Sequence, residues 1–297
     1  MKLICPTANI FNKLVILKLK SLFDCSLKEM SQKEFEKVVH NFEIVLLRFN
    51  RYIPYKKKHK IKFILSPTTG EDHIDKRYFK DKNVKIITLK NEYKFLSTVN
   101  ASSEFTILLI LMTLRKITKI KNNYNIGYEL LNKKVGIVGL GRNGKKICKI
   151  IKNFGAKIFY FDKKIQSSSF KYLNLNALLK KCNIIIICIP YNSENLNFIN
   201  KTKIKMIQNG SIIINTSRAG VLDENYILTQ AKKEKIFYSS DVFSDEFSKN
   251  YLKKIKKLNT YSNIIITNHI GGLTYESINK TDNFIFDVFF KMINDIK

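Results

Sequence analysis

The chain has 297 residues, 45% of them hydrophobic, and a formal net charge of +29. Length and apolar content suffice to give two domains a core each, which excludes a disordered or low-complexity polypeptide. The longest apolar run, residues 105–114, is about half of what a membrane span needs, so no membrane partner is expected. No secretory leader is expected either, because Pro6 interrupts the short apolar stretch 1–5. The positive charge comes from lysine spread along the whole sequence beside abundant Ile and Asn and no Trp. No basic helix or arm stands out, so the excess reads as compositional bias, with no specific nucleic-acid partner. Cys5, Cys25, Cys148, Cys182 and Cys188 form no C-x-x-C pair, which implies reduced thiols and a cytoplasmic protein without a metal site.

Residues 2–5 read as a strand. Ser31 and Glu34 have the spacing of a capping box and open a helix through about His40. Residues 43–47, 61–65 and 84–87 are further short apolar runs of the kind that suits parallel strands covered on both faces. A buried helix starts near Ser102, Ser103 and Glu104, whose hydroxyls and carboxylate favour a helix N-terminus, and runs to Leu114. From Lys134 the rhythm is strand and helix in alternation, with strands expected at 135–138, 157–161, 184–189, 211–215, 237–242 and 263–267. Gly155 and Gly210 mark helix ends and Asp223 is a helix N-cap. Six strands with crossovers predict a doubly wound parallel sheet. A last helix over 274–294 is long enough to return to the first domain.

The strand 135–138 runs directly into Gly139-Leu140-Gly141-Arg142-Asn143-Gly144 and a helix. Gly139 permits the tight turn, Gly141 lets the backbone approach a pyrophosphate, and Gly144 allows the helix to pack close to the strand. The helix N-terminus adds free N–H groups and positive potential for phosphates. The next strand ends in Asp162, eighteen residues beyond Gly144. A carboxylate there accepts the ribose hydroxyls of NAD and repels the 2′-phosphate of NADP, so NAD is the expected cofactor.

Three later strands end near chemistry-bearing residues: Arg218 after 211–215, Glu246 after 237–242, and His269 after 263–267. Ligands of open parallel sheets bind beyond the carboxyl ends of the strands. A guanidinium, a carboxylate and an imidazole delivered there suit hydride transfer at a carbonyl. His40 and His59, near lysines, are expected at the surface, and His73 lies in a loop without a catalytic setting.

With these motifs the chain resembles the D-isomer-specific 2-hydroxyacid dehydrogenase family, most strongly from about Asn100 to Glu276. The resemblance rests on the segment from Ala101 to Thr106, the run from Gly127 to Leu130, and the glycine motif beginning at Lys134. It extends through Ile214 to Arg218, Asp241-Val242-Phe243 with Glu246, and His269-Ile270-Gly271-Gly272. It implies two Rossmann- or flavodoxin-like α/β domains with doubly wound parallel sheets and a cleft between them. Residues 1–98 with 273–297 would form the substrate (catalytic) domain and 99–272 the NAD-binding domain.

The implied activity is an NAD-dependent dehydrogenase acting on a small 2-hydroxy or 2-keto acid, as a homodimer. His269 would be the acid–base group, Glu246 its carboxylate partner and Arg218 the arginine that holds the substrate. Cofactor contacts would come from Gly139, Gly141, Arg142, Asn143, Gly144, Asp162, Pro190, Thr216, Ser217, Arg218, Asp241, His269, Gly271 and Gly272. The substrate carboxylate would meet backbone amides of Gly70, Glu71 and Asp72, with Arg48 as a further contact. Asn268 stands where proline usually precedes the histidine, Ala219 where glycine follows the arginine, and Asn143 where an apolar residue is usual. A second reading on the same fold is an NAD-sensing, corepressor-like binding protein; a third, a nucleic-acid-binding protein, has only the charge behind it.

Overall fold

The computed structural model describes residues 1–117, 126–244 and 246–294. It divides into two compact units, 1–99 with 273–297, and 100–272. In the first unit the strands are β1 (Lys2–Ile4), β2 (Asp24–Ser26), β3 (Ile44–Leu46), β4 (Phe63–Ser66) and β5 (Lys85–Thr88). Its helices up to residue 99 are α1 (Lys13–Leu22), α2 (Gln32–Val38) and α3 (Tyr93–Leu96). The strands pair in parallel in the order β2-β1-β3-β4-β5. The strand missed by sequence reading is β2, and the reason is chemical: Asp24-Cys25-Ser26 sits at the sheet edge, unburied, and needs no apolar run. Ser31 and Glu34 form the expected capping box, Glu34 Oε2 accepting from Ser31 N at 2.8 Å and Ser31 Oγ from Glu34 N at 3.4 Å.

The second unit begins with α4 (Ala101–Leu114) and continues β6 (Lys134–Val138), α5 (Arg142–Lys152), β7 (Lys157–Phe161) and β8 (Lys171–Tyr172). Then come α6 (Leu175–Lys181), β9 (Ile184–Ile187), α7 (Lys201–Ile204), β10 (Ile212–Asn215), α8 (Glu224–Lys232), β11 (Phe237–Ser240), α9 (Tyr251–Leu258) and β12 (Ile264–Ile266). The parallel order is β12-β11-β10-β9-β6-β7-β8, reversing direction between β6 and β9. Among the described residues seven strands replace the expected six because β8 is a two-residue, exposed edge strand with no apolar signal. The centre of the sheet is β9, whose four isoleucines are fully buried. Burial of each such side chain contributes about 1.5–3 kcal/mol.

Helix α10 (Tyr275–Asn294) belongs to the first unit, where Ile285, Phe286 and Phe289 join Leu3, Leu46, Phe63 and Leu65 in one core. The serine hydroxyls expected to cap α4 do not do so: its N-cap is Asn100, and Ser103 Oγ donates back to the Asn100 carbonyl at 2.7 Å. Tyr93–Leu114 has the length and apolarity to cross a membrane. It is nevertheless divided into α3 and α4, and α4 buries Ile107, Leu109, Ile110 and Leu114 in the core of the second unit. All five cysteines are unbridged; burial pushes the thiols of Cys5, Cys148 and Cys182 up to about 12, which leaves them unreactive.

Candidate active site

The glycine loop is built by three different constraints. Gly139 has φ +100° and its N–H donates to the Phe161 carbonyl, so the chain turns sharply against β7. A Cβ on Gly144 would collide with the Gly139 carbonyl, so α5 starts hard against the loop. A Cβ on Gly141, the α5 N-cap, would meet nothing within 4 Å: the space above this residue is open. The first-turn N–H groups of α5 have no intrahelical acceptor and form the positive end of the helix. Burial lowers the pKa of Arg142 at the first helical position, a cost that an anion would offset. Beside it Asn143 Oδ1 is buried with no hydrogen-bond partner. The open glycine, the first-turn amides and Arg142 fit a pyrophosphate group; the Asn143 oxygen, an acceptor, adds nothing toward an anion.

Asp162 follows β7 and does more than sequence spacing suggests. Its Oδ2 accepts from Leu140 N at 2.7 Å and its Oδ1 from Lys164 N and Ile165 N at 2.8 Å each. The carboxylate therefore pins the glycine loop to the end of β7. Burial pushes its pKa up, but the three amides outweigh that and hold it below the usual carboxylate range. Pro190, exposed beyond β9, accepts from Asn195 Nδ2 at 3.0 Å through its carbonyl.

Arg218, Glu246 and His269 follow β10, β11 and β12, three consecutive strands of the sheet. His269 Nδ1 and Glu246 Oε2 are 2.9 Å apart, with side chains only 14% and 19% exposed. The histidine has φ +51°, a left-handed conformation that a non-glycine residue holds only when its surroundings enforce it. Asp241 enforces it: Oδ1 accepts from Thr267 Oγ1 at 2.6 Å and Ile270 N at 2.8 Å, and Oδ2 from Gly271 N at 2.7 Å. Burial pushes the Asp241 carboxyl up against these favourable contacts. Gly271 has no room for a side chain, since a Cβ would lie 2.7 Å from Asp241 Oδ2, whereas at Gly272 the nearest atom, Ser102 Oγ, is 3.9 Å away.

The β10 end is fixed by Asn215. Its Oδ1 accepts from Ser217 N and Oγ at 3.1 and 2.8 Å, and its Nδ2 donates to the Arg218 carbonyl at 3.0 Å. Thr216 Oγ1 meets Thr106 Oγ1 of α4 at 2.8 Å, and Arg218 Nη1 donates to the Ser217 carbonyl at 2.8 Å. Asn215, Thr106 and Thr267 were not singled out from sequence. Their signal was present, as polar residues in or beside strongly apolar segments.

In the first unit the loop after β4 carries Gly70, Glu71 and Asp72. Glu71 binds Thr88 Oγ1 at 2.9 Å and Lys90 Nζ at 2.5 Å through its carboxylate, and its carbonyl accepts from Ile74 N at 3.0 Å. Among the described residues the N–H groups of Gly70 and Glu71 have no acceptor. Arg48 is placed differently from the expectation. It is 3% exposed, and its guanidinium binds Asp282 Oδ1 at 2.6 Å, Thr281 Oγ1 at 3.3 Å and the Pro67 carbonyl at 3.2 Å. That commitment makes it a buried ion-pair residue holding α10 to the sheet. The expectation of surface positions for His40 and His59 is also corrected. His59 is half-buried, paired with Asp81 at 3.0 Å and edge-on to Tyr55 and Tyr78, and the half-buried His40 bonds the Pro54 carbonyl at 2.8 Å, since a ring with a polar partner in the protein need not face solvent.

Residues 108–271 match the sequence profile of the NAD-binding domain of the D-isomer-specific 2-hydroxyacid dehydrogenases. A hydroxypyruvate reductase of Thermotoga maritima is 24% identical over 277 residues, 88% of each chain. A glyoxylate reductase of Thermococcus litoralis is 32% identical over 158 residues, 51% of this chain and 46% of that one. Among solved structures, the D-lactate dehydrogenase of Aquifex aeolicus in complex with NAD and lactic acid has a TM-score of 0.82. That match has 22% identity and covers 99% of this chain and 96% of the other.

Proposed function

The chain belongs to the D-isomer-specific 2-hydroxyacid dehydrogenase family, as an NAD-dependent oxidoreductase, and we propose that it reduces a small 2-keto acid with His269 as the proton donor. The observation that carries this reading is the His269–Glu246 pair, held by Asp241 at the ends of β11 and β12 and one strand from Arg218. Bound NADH supplies the hydride that the carbonyl carbon accepts. With Nδ1 turned to Glu246, His269 delivers its proton from Nε2 to the carbonyl oxygen, so C=O becomes CH–OH. Glu246 holds Nδ1 and so fixes the ring's orientation. Arg218 holds the substrate carboxylate and polarises the carbonyl as negative charge develops on oxygen. The amides of Gly70, Glu71 and Asp72 are further carboxylate donors.

For the cofactor we assign Gly139, Gly141, Arg142, Asn143 and Gly144 to the pyrophosphate and Asp162 to the adenosine ribose. Pro190, Thr216, Ser217, Asp241, Gly271 and Gly272 fall to the remaining length and the nicotinamide. A cytoplasmic homodimer completes the proposal, with the exposed Leu108 of the apolar helix α4 as a candidate contact; sedimentation equilibrium checks the dimer. The activity test is NADH oxidation with glyoxylate, hydroxypyruvate and pyruvate, whose reactive groups are alike and whose sizes differ. Turnover of at least one is expected. Tight NADH binding with no turnover of any would overturn the reading in favour of an NAD-sensing protein.

A further inference from the structure

We infer that His73, Ser66 and Thr68 form a one-way hydrogen-bond chain that positions and strengthens the Glu71 amide as a carboxylate donor. The inference rests on the reading above, in which the loop after β4 receives the carboxylate of a 2-keto acid. Its direction follows from proton counting. Thr68 Oγ1 lies 2.9 Å from the Gly70 carbonyl, which can only accept, so the single hydroxyl proton of Thr68 is spent there. Ser66 Oγ lies 2.9 Å from Thr68 Oγ1 and must therefore donate its own proton to that oxygen. His73 Nε2 lies 2.9 Å from Ser66 Oγ, and with the Ser66 proton committed the ring nitrogen is the donor. The chain thus runs from His73 Nε2–H through Ser66 and Thr68 to the Gly70 carbonyl.

That carbonyl shares a peptide unit with the Glu71 N–H. Hydrogen bonds in series polarise one another, and a carbonyl that accepts makes the N–H of its own peptide a better donor. The Glu71 N–H has no acceptor among the described residues, so the polarisation is available to a ligand. Burial strengthens the effect at the start of the chain: Ser66 is fully buried and His73 is 1% exposed, which keeps water from competing for the His73–Ser66 link. Both ends of the segment are independently anchored. The Thr68 carbonyl accepts from Leu89 N at 3.0 Å, and the His73 carbonyl accepts from Ile53 N at 2.9 Å. Sequence reading set His73 aside as non-catalytic; in this account it touches no substrate and acts through two hydroxyls as a positioning residue.

The test uses the full-length protein and two probes, glyoxylate turnover and the affinity of oxamate, a non-reducible 2-keto acid analogue, for the NADH-bound protein. Thr68→Val keeps the shape of a half-buried side chain and breaks the last link. KM for glyoxylate and Kd for oxamate are expected to rise together by about three- to tenfold, with Kd for NADH unchanged. Thr68→Ser, which restores the hydroxyl, is expected to restore both. His73→Leu and His73→Gln repeat the comparison at the far end, glutamine retaining an N–H donor. Unchanged KM and oxamate affinity in Thr68→Val, beside an active native protein, would overturn the inference and leave the proposed function standing. Equal weakening of NADH and oxamate would also overturn it, as a general defect of the fold. A native protein that neither reduces glyoxylate nor binds oxamate would overturn both.

Discussion

Glu246 Oε2 lies 2.9 Å from Nδ1 of His269, joining the loops that follow β11 and β12. A carboxylate at this distance from an imidazole holds one ring nitrogen and fixes which nitrogen faces the reaction. His269→Ala should lower kcat by roughly a hundredfold or more while Kd for NADH stays within about twofold, because the group acts on the carbonyl oxygen. Glu246→Gln keeps a hydrogen-bond acceptor but no charge, so its loss should be smaller. Steady-state kinetics with NADH titration decide the matter, and full activity of His269→Ala would refute the assignment.

Arg218 is expected to act in both binding and polarisation. Arg218→Ala should raise KM for the keto acid and depress kcat together, and Arg218→Lys should recover only part, since a lysine lacks the planar two-point fork. A change confined to kcat would place the guanidinium away from the substrate carboxylate.

Two glycines three positions apart should respond oppositely. Gly141→Ala adds a methyl to open space above the glycine loop, so Tm should hold while Kd for NADH rises about tenfold or more. Gly144→Ala forces that methyl into the Gly139 carbonyl, so Tm itself should fall. Thermal melts beside fluorescence titration separate the outcomes; equal loss of Tm in both would contradict the open cradle at Gly141.

Asp162 links cofactor choice to pH. Its pKa is lowered on folding, so its stabilisation is complete above the ordinary carboxylate value, about 3.9, and is lost as pH falls through the folded value. Asp162→Asn should melt below the native protein at pH 7, and the gap should close as pH drops below about 4. The same variant should narrow the preference for NADH over NADPH. A gap in Tm that is constant from pH 7 to pH 3 would show that the three amides do not depend on the charge.

The Arg48–Asp282 pair predicts a stability effect remote from the chemistry. Its side chains are 4% and 0% exposed, so removing one partner strands a buried charge. Asp282→Leu alone should cost about 3–5 kcal/mol, and Arg48→Met with Asp282→Leu should recover much of it. Urea melts of the two single variants and the double variant measure the coupling; additive losses would exclude a specific pair.

The sequence by itself determined the elements whose environment is uniform. A strand such as Ile184–Ile187, buried on both faces, must be apolar throughout, and the glycine motif with Asp162 spells out a local turn. The positions of Arg218, Glu246 and His269 after successive strands were legible for the same reason, since strand ends can be counted. The edge strands β2 and β8 were not, because an edge imposes little side-chain pattern. Tertiary structure alone decided which polar groups meet. Arg48 finds Asp282 across 234 residues, a pairing that no local rule encodes, and this turned an expected ligand contact into a buried support. Asp241 reaches the turn after His269, 28 residues on, and holds it left-handed. Ser66, Thr68 and His73 lie close in sequence, yet the direction of their hydrogen bonds appears only when the distances fix which oxygen has already spent its proton. Burial and pairing are properties of packed neighbours, and the chain must fold before those neighbours exist.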